Sequence, residues 1–161
     1  MKNNGFTLIE ILIVMSVIVI ITTIVLVNFR GGERGNLLKS SVQEVVLNLR
    51  KAQNMAITAQ KFGANMPYGY GVYFSLASPQ SYIIFADMDN NQSYTNASEN
   101  FEVISMSSKI EISSLNPASP TSFIFTIPEA VAPVSGSIDL RIVGTGITQS
   151  INVTNAGVID F

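Results

Sequence analysis

Glu10 is the residue whose chemistry most demands an explanation. Between Phe6 and Phe29, 17 of 24 residues are Leu, Ile, Val or Phe, and Glu10 carries the only charge. A carboxylate inside a lipid-facing helix costs about 3 kcal/mol on insertion scales, so it marks a functional site that needs a partner. A second set of oxygen donors lies at Asp87, Asp89 and Asn91. Their i, i+2, i+4 spacing is the one by which a calcium loop offers its ligands. The full pattern fails, because Gln92 stands where the sharp-turn glycine belongs and Ser98 where the bidentate glutamate belongs, which leaves an acidic hairpin loop as the competing reading. Little other chemistry is open. The chain has no histidine and no cysteine, which removes imidazole bases, the Ser/His/Asp triad, thiol nucleophiles and disulfides. No glycine-rich phosphate loop, paired catalytic carboxylates or metal cluster appears in the sequence, and the chain is read as a non-enzyme without a cofactor.

The elements that must position these residues follow from composition. In 161 residues, 47% are apolar and only 12% charged, about half the usual quarter for soluble domains. A net charge of -2 gives no cationic footprint for nucleic acid. As a helix, the run from Phe6 to Phe29 would be about 36 Å long against about 30 Å of bilayer hydrocarbon. No proline precedes Pro67 to interrupt it. A cleaved secretory signal would be shorter and would end in a small-x-small site, whereas this run ends in Asn28-Phe29-Arg30. An ordinary single-pass anchor accounts for the length and leaves Glu10 without a purpose.

A third reading starts from Gly5-Phe6-Thr7-Leu8-Ile9-Glu10 behind the polar leader Met1-Lys2-Asn3-Asn4. This segment resembles the class III signal of type IV prepilins and type II secretion pseudopilins. The resemblance implies cleavage by a membrane peptidase between Gly5 and Phe6, N-methylation of Phe6, and retention of the apolar run in the mature chain. It also implies that Glu10 is the acid placed five residues into the mature protein. The freed amine at Phe6 is the natural counter-charge for Glu10. It lies at i,i+4 within one helix, or on a neighbouring subunit already packed in a filament. Snorkelling of the carboxylate to the headgroups is the plainer alternative.

Beyond Arg30, Gly31-Gly32 and Gly35 predict a kink or short break, since each glycine costs a helix about 1 kcal/mol relative to alanine. Leu38, Val42, Val45, Leu49, Ala52, Ala56 and Ala59 then recur at spacings of 3 and 4, the apolar stripe of a helix over about 36–61. The remainder predicts short strands at 71–75, 82–86, 101–106, 110–113, 122–127, 137–143, 149–154 and 158–161. Alternation such as Phe123/Phe125/Ile127 carries them, and proline, asparagine and glycine clusters separate them. One helix followed by strands gives an α+β class. The type IV pilin-like fold, a long helix packed on an antiparallel sheet, is what the resemblance adds. The expected organisation is leader 1–5, transmembrane helix 6–30, stalk helix 31–61 and β-rich head 62–161.

The head also resembles the H-type minor pseudopilins and FimT-like minor pilins. The resemblance rests on the helix end Arg50-Lys51-Ala52-Gln53-Asn54-Met55-Ala56, on Tyr70-Gly71-Val72-Tyr73-Phe74, on Tyr82-Ile83-Ile84-Phe85-Ala86-Asp87-Met88-Asp89-Asn90-Asn91 and on the final Gly157-Val158-Ile159-Asp160-Phe161. It implies a structural minor subunit of a secretion pseudopilus or pilus, held in the bacterial inner membrane with its head outside the cytoplasm and later assembled into a filament. Implied partners are other pilin or pseudopilin subunits, the prepilin peptidase and methylase, membrane platform proteins and the lipid bilayer. A competence or adhesion minor pilin and a membrane-tethered binding module are the alternatives. Residues 30–61 sum to a charge of +4 and residues 87–161 to -6. This polarity could draw neighbouring subunits head to stalk, or could reflect solvated faces alone, and it opposes a DNA-binding head. Asn91, Asn96 and Asn152 each begin an N-x-S/T triplet, a common pattern.

Overall fold

The computed structural model describes residues 7–161, with side chains described at 7–25 and 35–161. The leader and the Gly5/Phe6 junction lie outside the described residues. Among the described residues the architecture is α+β, one long helix followed by eight strands and a short 3-10 turn at Ala97–Glu99. The helix, α1, spans Leu8–Ile57 without interruption. The break expected at Gly31-Gly32 and Gly35 does not occur. Nucleating a helix is the costly step, and once its flanks are helical each further residue gains a hydrogen bond that outweighs the modest glycine penalty.

The expected end of the stalk helix at residue 61 is also corrected, to Ile57. Ala59 takes a left-handed backbone with φ of 46°. The Gln60 amide donates to the Met55 carbonyl at 3.0 Å and the Ala59 amide to that of Ala56 at 3.1 Å. These two bonds are the 6→1 and 5→2 pair of a Schellman stop, with alanine where glycine usually sits. Ala59 therefore lies outside the helix and is only half-buried.

The chain parts into two compact units between Leu37 and Leu38. In the first, every side chain from Leu8 to Val25 is exposed. In the second, the expected stripe is the covered face of α1: Leu38, Val42, Val45, Leu49, Ala52 and Ala56 are buried, joined by Val46 and Met55.

Two antiparallel sheets complete this unit. β1 (Gly69–Phe74), β2 (Ser81–Asp87), β3 (Asn100–Ser105) and β5 (Thr121–Thr126) form one in the order β3-β2-β1-β5. β4 (Ile110–Asn116), β6 (Gly136–Ile142), β7 (Thr148–Val153) and β8 (Ile159–Asp160) form the other in the order β4-β6-β7-β8. All eight expected strands are present with shifted ends. β4 runs three residues further than expected, past a bulge between Ile112 and Ser114. Alternate residues of the first sheet, Tyr70, Val72, Phe74, Tyr82, Ile84, Phe123 and Phe125, are buried. The Asn48 amide of α1 donates to the Tyr82 hydroxyl at 2.8 Å, and Lys51 pairs with Glu102 while lying 5.4 Å from the Phe101 ring centre. One cation of the basic stalk is thus matched to an acid of the head within the same chain. Burial raises the Tyr82 hydroxyl pKa, so it stays protonated.

Candidate functional site

The start of α1 is built from Thr7 and Glu10. The Thr7 hydroxyl accepts the Glu10 amide at 3.3 Å, and the Thr7 carbonyl accepts the amides of Glu10 and Ile11. Thr7-Leu8-Ile9-Glu10 has the threonine and glutamate spacing of a capping box, and the half from the Thr7 hydroxyl to the Glu10 amide is made. A carboxylate in the first turn also faces the positive end of the helix dipole.

The rest of the span shows how polar groups are normally handled in an apolar segment. Ser16 donates its hydroxyl to the Ile13 carbonyl at 2.7 Å, Thr22 to Ile18 at 2.7 Å and Thr23 to Val19 at 2.8 Å. Each hydroxyl is satisfied within the helix, as lipid requires. Glu10 is the exception. Its side chain is exposed on a face shared with Ile11, Val14, Met15 and Ile18, and among the described residues no donor meets its carboxylate. The described part of the span is therefore an apolar strip with one anionic group near its start.

The second candidate, Asp87, Asp89 and Asn91, folds differently from its sequence reading. Carboxylate oxygens of Asp87, Asp89 and Glu99 lie within 4.8 Å of one another, with Asp87 and Glu99 buried and Asp89 exposed. Asn91 is not the third member of this group. Its side-chain amide donates to Asp89 at 3.0 Å and to the Thr95 hydroxyl at 2.6 Å. Glu99 was missed because it follows Ser98, one place beyond the position a calcium loop would use.

The carboxylates act as acceptors for the loop's own backbone. Asp87 takes the amides of Asn90 at 2.8 Å and Gln92 at 3.1 Å, and Glu99 takes those of Met88 at 3.3 Å and Thr95 at 2.8 Å. Desolvation pushes the Asp87 carboxyl pKa upward, partly offset by those two amides. So organised, residues 88–99 lie over the outer face of the first sheet. Tyr94 packs 4.7 Å from the Tyr73 ring and 5.8 Å from that of Phe85, and its amide donates to Ser122 at 3.1 Å. Beneath it Gly71 is obligatory, because a Cβ there would meet the Phe85 ring at 2.7 Å and the Phe123 carbonyl at 2.8 Å. The donor set thus serves a structural role, holding a flap that buries Phe85.

With this geometry in place, comparison with known proteins adds one finding. Residues 1–26 match the prokaryotic N-terminal methylation motif, the type IV prepilin-like signal. The match takes in Glu10 and most of the apolar span. It supports a processed subunit of the pilin or pseudopilin type, a structural protein anchored in a membrane. No curated protein and no solved structure matches the chain significantly.

Proposed function

We propose that this chain is a structural subunit of a type II secretion pseudopilus or type IV pilus, of the H-type minor class, assembled through its N-terminal helix. The observation that carries the reading is the methylation motif over a span whose one carboxylate meets no donor among the described residues. In this reading prepilin peptidase cuts between Gly5 and Phe6, the new Phe6 amine is methylated, and the head stands outside the cytoplasm. Residues 1–5 are the leader, 6–30 the anchor, the stalk helix ends at Ile57, and the head follows. On assembly Glu10 pairs with the Phe6 amine of a neighbouring subunit. The pairing relieves the cost of an ionised group in lipid, and a buried carboxylate without its partner is strongly unfavourable. An α+β head behind a long helix is consistent with this role.

The test has two stages. Mass spectrometry of the mature terminus, in hosts with and without prepilin peptidase, should find Phe6 at the terminus only when the enzyme is present. Replacement of Gly5 by a bulky residue should block the cut. Glu10→Ala and Glu10→Gln should then leave cleavage and membrane abundance intact while filament recovery after shearing falls. Full filament yield from both variants would reject the pairing and favour a tethered binding module.

A further inference from the structure

We propose that Asn91 is an acceptor for N-linked glycan, receiving an oligosaccharide from a polyprenyl-pyrophosphate donor by the action of a membrane oligosaccharyltransferase. Three N-x-S/T triplets occur in the chain, and their structural settings separate them. Asn152 lies within β7, paired with Ser137 of β6 on one side and Asp160 of β8 on the other. Its backbone is committed to two ladders and cannot be drawn into an enzyme cleft without breaking the sheet. Asn96 caps the short 3-10 turn Ala97–Glu99, and its Oδ1 accepts both the amide of Ser98 at 2.9 Å and the Ser98 hydroxyl at 2.6 Å. The hydroxyl that the triplet must offer is turned back onto the asparagine itself.

Asn91, like Asn96, lies in an exposed stretch, and what sets it apart is the left-handed backbone of Asn90 and Gln92, with φ of 62° and 61°, which places it at a tight turn. Its Oδ1 accepts the Ser93 amide at 2.8 Å, which folds the triplet over the side chain and leaves the exposed Ser93 hydroxyl with one long contact, 3.4 Å from that of Ser122. Its Nδ2 donates to Asp89 Oδ2 at 3.0 Å and to Thr95 at 2.6 Å.

Those last contacts bear on reactivity. An amide nitrogen is a poor nucleophile because its lone pair is delocalised into the carbonyl. Donation of an N–H to a carboxylate shifts electron density toward nitrogen and gives the departing proton an acceptor. The position before Asn96 that corresponds to Asp89 is Tyr94, whose ring is packed against Tyr73 and Phe85. In the transfer, a bond forms between Asn91 Nδ2 and the anomeric carbon of the sugar. The bond from that carbon to the pyrophosphate oxygen breaks, its electron pair leaves with the polyprenyl pyrophosphate, and one Nδ2 proton passes to a carboxylate. In the cell this requires the outward head of the proposed function.

The test avoids that dependence. The full chain in detergent is incubated with a purified bacterial oligosaccharyltransferase and a lipid-linked oligosaccharide, alongside a known acceptor peptide, and digests are read by mass spectrometry. The Asn91 peptide should gain the glycan mass. The gain should vanish in Asn91→Gln and Ser93→Ala, persist in Ser93→Thr, and fall several-fold in Asp89→Asn. An unmodified Asn91 beside a modified control peptide, or modification of Asn96 or Asn152 in its place, would overturn the proposal. Equal occupancy in Asp89→Asn would overturn the part given to Asp89. The filament reading stands or falls separately, on the processing and shearing assays.

Discussion

Replacing Ala59 with glycine should make the head more stable, although the same change within α1 should weaken it. Ala59 sits at φ 46°, a left-handed conformation that costs an L-residue about 1–2 kcal/mol and glycine almost nothing. Glycine loses about 0.5–1 kcal/mol more backbone entropy on folding. The half-buried methyl adds little, so the net gain is about 0.5–1 kcal/mol, or about 2–4 °C in Tm for a domain of this size. Ala52 is the control. It is fully buried and helical, so glycine there loses about 1 kcal/mol of helix propensity and about 0.8 kcal/mol of methyl burial, before any cavity cost. Thermal and urea unfolding of a fragment of residues 36–161, which keeps the compact unit that begins at Leu38, measures both variants by circular dichroism. If Ala59→Gly destabilised the fragment as much as Ala52→Gly, α1 would continue through residue 59 and the Schellman stop would be wrong.

Three further outcomes are expected. The Asp87 carboxyl is pushed above its usual 3.8 by burial, so the folded chain holds that proton more tightly than the unfolded chain does. Stability from this group is full below pH 3.8 and is lost as pH rises through the raised value. Urea midpoints of the parent and Asp87→Asn at pH 3 and pH 7 should therefore shift in favour of the variant at the higher pH, and a constant difference would refute the desolvation argument. Gly136→Ala should cost about 3 kcal/mol, since its Cβ would lie 1.8 Å from the Asn116 carbonyl oxygen and backbone gives way poorly. Gly146→Ala, with nothing within 4 Å, should stay within about 0.5 kcal/mol. A fragment beginning at residue 62 should aggregate on size-exclusion chromatography because Tyr82, Ile84 and Phe123 lose their helical cover. A monomeric, equally stable fragment would remove the packing role given to Leu38, Val42, Val45 and Leu49.

The sequence by itself determined the features that arise within a few residues of one another. The membrane span is a matter of local composition, and Glu10 stands out in it as the lone charge. The helix stripe from Leu38 to Ala56 and the eight strands follow from periods of 3.6 and 2 bounded by turn residues, because side-chain direction is set by backbone geometry alone. Tertiary structure decided what depends on distant partners. Alanine is the best helix former, so nothing local at Ala59 announced the end of α1, and the glycines after Arg30 suggested a break that α1 does not make. Phe85 alternates onto what should be an exposed face, yet it is buried because Tyr94 is folded back over it by a loop anchored on Asp87 and Glu99. The division of the strands into two sheets, and the addition of Glu99 to Asp87 and Asp89, likewise depend on chain segments brought together only by folding. Local propensity does not register such contacts, because their free energy exists only once the intervening chain has closed.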